Sequence, residues 1–316
     1  MVTPAAQAKK LLTTWARKPN AAAAVALRKF YGTAARRLPL QERAELCLAL
    51  GEAAELEGRV DHARWLYASA VGAVDPNRDE RLYARAVLRS LLNASRLGDG
   101  ILLQGVASVM EGSPPEQQTP RLAFLGSFAR GLERFLREDY QSARRSFEAA
   151  MGASWESADP ESEAVAHHLL AQTWSRLDKL ARAREHVEAA RRAAKKAGSW
   201  ILDRRLALEA AKYRLRAGMA PEALAEARAL AIEIRRLGFP RFESLAWTKI
   251  AQGILIDRVS AQVLLTRSEG LLPEGHPDRR SIHALKALME KKKTGNGRVD
   301  RTVAEELQAL VALARG

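Results

Sequence analysis

Six histidines, one cysteine and thirty-seven acidic residues are the side chains of this 316-residue chain that could bind a metal or move a proton. The one adjacent histidine pair is His167–His168, in "AVAHHLLAQ". Neighbouring residues on a helix point about 100° apart, so the two do not readily share one ion, and no third ligand is evident. Carboxylates pair at Glu52/Glu55, Glu161/Glu163 and Glu305/Glu306. None sits in a recognisable catalytic frame, and a solvated helix face accounts for each. Cys47 lies in the apolar run "LCLALG", where a small buried hydrophobe is expected and not a nucleophile. There is no GxxxxGKS/T phosphate loop, no GxGxxG after a strand, no HExxH and no CxxC. The expectation is a protein that is not an enzyme, with no catalytic residues, no metal and no cofactor.

Charge is the next chemical signal. The net charge of +14 is concentrated at the two ends. Residues 1–40 hold Lys9, Lys10, Arg17, Lys18, Arg28, Lys29, Arg36 and Arg37 and no acid. Residues 279–301 hold eight more basic side chains, Lys291, Lys292 and Lys293 among them, against Glu290 and Asp300. Such ends attract polyanions: nucleic acid, anionic headgroups or acidic protein surfaces. They also suit the polar outer faces that terminal repeats must present. Trp15, Phe30 and Tyr31 fit either base stacking or a terminal core. A lone cysteine forms no internal disulfide, which points to a reducing compartment. No run approaches the roughly 20 apolar residues of a membrane span, and no cleavage signal follows the short run "AAAAVAL". A cytoplasmic chain is expected, although an acid-free stretch of this kind also suits an organellar transit segment.

These residues must be positioned by helices. Ala, Leu and Arg dominate, and apolar residues return at three- and four-residue spacing almost throughout. Breakers such as Pro39, Gly58, Gly98, "GSPPEQQTP", "ADPES", Gly198, "GFP" and "PEGHP" separate the runs. The pattern predicts an all-α chain of eight helix pairs, over 4–36, 41–73, 79–111, 119–153, 161–197, 200–237, 241–272 and 278–315. Within it a small residue recurs every forty positions: Ala63, Ala143, Ala183 and Ala223. Leu103 stands in the missing copy, and Ala23 and Val263 extend the phase outward.

In this pattern the chain resembles the tetratricopeptide-repeat superfamily. The matching residues are Leu50, Gly51, Ala63, Tyr67, Ala70 and Pro76; Gly131, Ala143, Phe147 and Ala150; Leu170, Ala171, Trp174, Ala183, Val187 and Ala190; and Ala210, Ala211, Ala223, Ala227 and Leu230. The period is forty, not the family's usual thirty-four, as in the superhelical repeat domain of the bacterial maltose-regulon activator. The resemblance implies a right-handed α-solenoid. It also implies three parts: a basic N-terminal capping pair (1–40), the repeat array (41–272) and a C-terminal pair with a basic segment (273–316).

It further implies a scaffold or adaptor that binds a protein or peptide on a concave groove lined by the first helix of each pair. Placed by analogy, the groove residues are Arg205, Leu208, Lys212 and Arg216, then His168, Gln172 and Arg176, and Phe128, which a one-residue change of register would bury. Glu45, Glu52 and Arg85 fall at equivalent places. The family's carboxylate clamp uses Asn, which is lacking here. A partner with an apolar segment and an acidic end suits the pattern. The alternatives are a nucleic-acid-associated protein acting through its basic ends, or a ligand- or peptide-sensing regulatory subunit.

The recurring alanine is a packing device in this reading, because two helices approach closely only where a side chain is nearly absent. Ala183→Leu is expected to overpack that contact by about 1–3 kcal/mol. An unchanged melting temperature in that variant would refute the register.

Overall fold

The structure, a computed structural model, describes residues 3–114, 118–218, 220–291 and 301–315. Among them are sixteen α-helices and no strand. They run in pairs: α1 (Pro4–Arg17) and α2 (Ala21–Ala34), α3 (Leu40–Glu57) and α4 (Val60–Ala73), α5 (Glu80–Leu97) and α6 (Gly100–Glu111), α7 (Pro120–Leu136) and α8 (Tyr140–Glu156). The order continues with α9 (Pro160–Arg176) and α10 (Leu180–Lys196), α11 (Trp200–Ala217) and α12 (Pro221–Arg235), α13 (Pro240–Gly253) and α14 (Arg258–Gly270), α15 (Asp278–Lys291) and α16 (Arg301–Arg315). The eight pairs are those predicted from the breakers. No helix is long and apolar enough to cross a membrane, among the described residues.

The starts and stops have local causes. Thr3, Asn20, Asp79, Asp99, Thr119, Asp139, Asp159 and Asp257 each accept a backbone N–H of the first turn that follows. Proline opens α1, α7, α9, α12 and α13, where its missing N–H costs nothing. The turns repeat as regularly as the helices. Backbone at residues 58, 98, 138 and 178, between first and second helices, and at 158, 198 and 238, between pairs, takes positive φ. The N–H groups of Arg59, Asp99, Asp139 and Lys179 then donate to carbonyls five residues back, at 2.8–3.0 Å. Glycine fills four of these seven positions; Glu138, Ala158 and Asp178 adopt the left-handed conformation at a cost of about 1–2 kcal/mol each.

The chain divides into two compact units, residues 1–55 with 59–203, and residues 56–58 with 204–316. In the first, α1 packs on α2, α4 on α5, and α5 through α9 each on the next, while α5 also touches α7 and α7 touches α9. In the second, α12 packs on α13, α13 on α14 and α14 on α15. The last helix packs on α12 and α14, held by Arg228–Glu306 (3.2 Å) and by Arg235 donating to the Leu313 carbonyl (3.1 Å).

The forty-residue packing phase is clearest in the first unit. Ala63, Leu103, Ala143 and Ala183 are all fully buried, with Tyr67, Phe147 and Val187 beneath solvent four residues after three of them. At the outer copies the phase slips. Ala23 and Ala223 are half-buried, while Ala24, Leu224 and Ala227 are fully buried. Arg144, expected to face solvent, is half-buried: it pairs with Glu148 at 2.7 Å and lies over the Trp174 ring at 5.3 Å. Arg145 is exposed.

The small residue on the first helix answers the large one on the second, not the alanine. A Cβ added to Gly131 would stand 2.5 Å from the Phe147 ring, and one added to Gly51 would stand 2.4 Å from Tyr67. Each partner lies sixteen residues on. Ala171 and Val187, both buried, have the same spacing with an intermediate split of volume. In an open helix interior Gly→Ala would stabilise by about 1 kcal/mol. At Gly131 the ring contact reverses that sign, so Gly131→Ala is expected to destabilise by about 1–3 kcal/mol. Adding Phe147→Val, which recreates the Ala–Val split, should recover part of the loss in urea unfolding. Additive single effects would refute the pairing.

Candidate functional site

The polar counterpart of this packing is a cleft in the first unit, about 510 Å³ in volume. Three first helices supply its charged walls: Glu45 and Glu52 from α3, Arg81, Arg85 and Arg89 from α5, and Glu161 at the start of α9. Trp15 and Pro19, at the end of α1, and the α10–α11 connection, Lys196 to Ile201, complete the lining. Residues 81, 85 and 89 stand four apart, so they form one row along α5.

Arg89 anchors the floor. Its guanidinium meets Glu161 at 2.5 Å and Glu52 at 3.5 Å, with one-tenth of the side chain exposed. Glu52 also accepts the indole N–H of Trp15 at 3.0 Å. Burial alone would lower the Arg89 pKa, but Glu161 and then Glu52 outweigh it and keep the group charged. Burial would raise the Glu161 pKa; Arg89, Arg85 and Arg81 together hold it below the ordinary carboxylate value. One turn further along α5, Asn93 donates to Glu55 at 3.3 Å and to the Val60 carbonyl at 3.2 Å. Arg96 pairs with the same Glu55.

Neutralisation weakens along the arginine row. Arg85 lies 3.7 Å from Glu161 with half of its side chain exposed, and Arg81 is exposed. Glu45 faces the cleft from α3 and is half-buried. Burial raises its pKa, with Arg85 opposing and Glu42 and Asp79 reinforcing. Asp79 and Asp159 are engaged as caps of α5 and α9. The cleft therefore offers charge of both signs, arranged in rows on separate helices. Among the described residues no group of three or more His, Cys, Asp or Glu side chains is placed to hold a metal.

A second cleft, about 560 Å³, lies between α14 and α16 in the second unit. Ile256, Val259, Val263, Leu307 and Val311 line it with Asp257, Ser260, Gln308 and Arg315, and Asp257 is engaged as the cap of α14. The charged cleft brings ionic side chains of three first helices together, which a charged or polar partner can read, so it is the better candidate for such a partner.

The residues placed in a groove from sequence fall differently. Phe128 is fully buried between Phe124 (5.2 Å) and Phe147 (5.7 Å), so it builds the core. Leu208 is also core, and Lys212 is buried in a pair with Glu209, which Lys249 joins from α13. These three cannot meet a partner, because their faces of α7 and α11 are covered. Arg205 is half-buried, while Arg216 and Arg176 are exposed. His168 is half-buried and accepts from the Gln172 amide at 2.7 Å. Glu45, Glu52 and Arg85 do line the cleft.

At the N-terminus Lys9, Lys10, Arg17, Lys18 and Lys29 are exposed and Arg28 is half-buried. Lys291 closes α15, and Lys292 and Lys293 lie outside the described residues. Sequence reasoning missed Arg89, Trp15 and Glu161 as a set. The four-residue arginine spacing was a signal, but an acid in the first turn of α9 reads as an ordinary dipole partner. No protein-family model matches the chain, and no characterised protein matches it.

His167 is not part of the cleft lining. It is buried against His186, ring nitrogen to ring nitrogen at 2.9 Å. One neutral imidazole can donate to the other, whereas two imidazolium rings would repel. Burial, then the His186 charge, then Arg192 lower the His167 pKa to about 4. Burial also lowers that of His186, with Glu148 and Glu185 opposing and Arg182 reinforcing. In the unfolded chain both titrate near 6.5, so between about pH 6.5 and 4 the unfolded state binds more protons. The pair's contribution is complete above that window and is lost as pH falls through it. Melting temperatures should therefore drop more steeply across it in the native chain than in a His167→Phe/His186→Leu variant. Parallel profiles would refute this.

Proposed function

We propose that the chain is a non-enzymatic interaction scaffold whose first unit binds a protein or peptide segment in the charged cleft. The carrying observation is that first helices from α3, α5 and α9 converge charged side chains on one cleft, while the same helices bury apolar residues elsewhere. A helix-pair array holds such rows on rigid elements, so binding needs no chemistry beyond complementarity. The resemblance to tetratricopeptide repeats supports the same reading, with the groove moved from α11 to α3, α5 and α9. The exposed lysines of α1 and α2 suit a solvated end cap as well as a polyanion surface, and the cleft does not depend on them.

The test is comparative affinity purification from the native host. The wild-type chain is set against Arg85→Glu/Lys196→Glu, two changes on exposed positions of the cleft wall. Proteins retained by the wild type should be depleted at least tenfold from the variant. Identical retention of every protein would refute the assignment of this cleft.

A further inference from the structure

We infer that the cleft selects a peptide segment carrying both basic and acidic groups, and that it rejects polyanions. This rests on the scaffold reading and specifies its ligand. Charge alternates in sign across neighbouring walls of the cleft. Glu45 and Glu52 stand on α3, Arg81, Arg85 and Arg89 on α5, Glu161 at the start of α9, and Lys196 at the end of α10.

Along the α5 row the single cation Arg89 is shared between two carboxylates, Glu52 and Glu161, so the floor keeps an acidic excess. The floor therefore has no cation to spare for a ligand. What remains for a ligand is at the mouth and side. Arg81 and Lys196 are exposed cations there, and Arg85 keeps half of its side chain exposed. Glu45 is an acid at the same helical level as Arg85, forty residues earlier on the preceding first helix. A bound carboxylate at Arg81 and Lys196 gains charge-assisted hydrogen bonds. A bound ammonium or guanidinium at Glu45 supplies a countercharge to a half-buried carboxylate.

A strand of nucleic acid has only negative charge to offer. It would bring phosphates against Glu45, Glu52 and Glu161, and like charges in a partly dehydrated cleft are repulsive. A purely basic segment meets the corresponding obstacle at Arg81, Arg85 and Lys196. Opposite charges on one chain satisfy both walls. Peptides carry them at spacings that a first-helix wall can read, since residues one turn apart on a helix are about 5.4 Å apart along its axis.

The experiment is selection of a displayed random nonapeptide library on the immobilised full chain. Fluorescence anisotropy of the enriched peptides follows, with Glu45→Lys, Arg81→Glu and Lys196→Glu variants whose folding is checked by circular dichroism. Single-stranded oligothymidylate and a mixture of free amino acids are the competing probes. Enriched peptides should contain both signs, and affinity should fall at least tenfold with Arg81→Glu or Lys196→Glu. Exchanging the peptide's charges should restore binding to Glu45→Lys/Arg81→Glu. Enrichment of peptides of one sign, displacement by oligothymidylate, or equal displacement by free amino acids would overturn the inference. Peptides that bind all variants equally would overturn it while leaving the chain a scaffold at another surface. No enrichment at all would overturn it too, and the affinity purification above then decides the scaffold reading separately.

Discussion

The distance between the two helices of a pair is the constraint on which the first unit depends. That distance is set by summed volume at positions sixteen residues apart. Where the second helix carries Tyr67 or Phe147, the first can carry only glycine, because even a methyl group would stand within 2.5 Å of the ring. Where the second carries Val187, alanine fits, and in the degenerate copy buried Leu91 has Ala107 in the same relation. The volume moves from one helix to the other while the interface stays filled, as dense interiors require. Gly126 and Gly253 serve the same purpose between pairs, against Met110 and against Leu215 respectively.

Once the pairs are set at that spacing, their first helices lie side by side and their polar rows face one another. The Arg89 cluster follows from this. Removing two carboxylates and a guanidinium from water is expensive, and the mutual attraction offsets it only when geometry and further hydrogen bonds are good. Here the Trp15 indole adds a hydrogen bond to Glu52, and Arg85 adds charge to Glu161. A hydrophobic trio of equal volume could match the stability. It would not dictate which helix faces which, and it would leave no charged cleft. The second unit repeats the device with other residues: Glu209 pairs with Lys249 one first helix on, and Arg241 with Asp278 at 2.8 Å.

The regular turns make this stacking reproducible. Positive φ at residues 58, 98, 138 and 178 turns the chain by the same device each time, and the carbonyl five residues back is satisfied each time. Glu138 and Asp178 tolerate the strain without glycine, which shows that the position is imposed by the pair and not by the residue. The same strictness explains the groove misplacement. A forty-residue analogy transfers a face only if every helix has the same rotation. Phe128 and Leu208 lie on helices whose apolar faces extend round to the position where a contact residue was expected.

The amino-acid sequence by itself determined the helices, their ends and the forty-residue cadence. Those are local properties: spacing of apolar residues at 3.6 per turn, aspartates and prolines at helix starts, and glycines at many of the turns. It also located Ala143 and Ala183 as buried positions and Cys47 as a buried hydrophobe, because volume and polarity are carried by single residues. Only the tertiary structure decided what the polar side chains do. Glu161 lies seventy-two residues from Arg89, and nothing local marks either as the other's partner. Their meeting depends on how successive pairs stack, and small rotations summed over two pairs decide it. For the same reason Lys212, an open groove cation in sequence, is buried beside Glu209, while Glu45, Arg81 and Arg85 line the cleft.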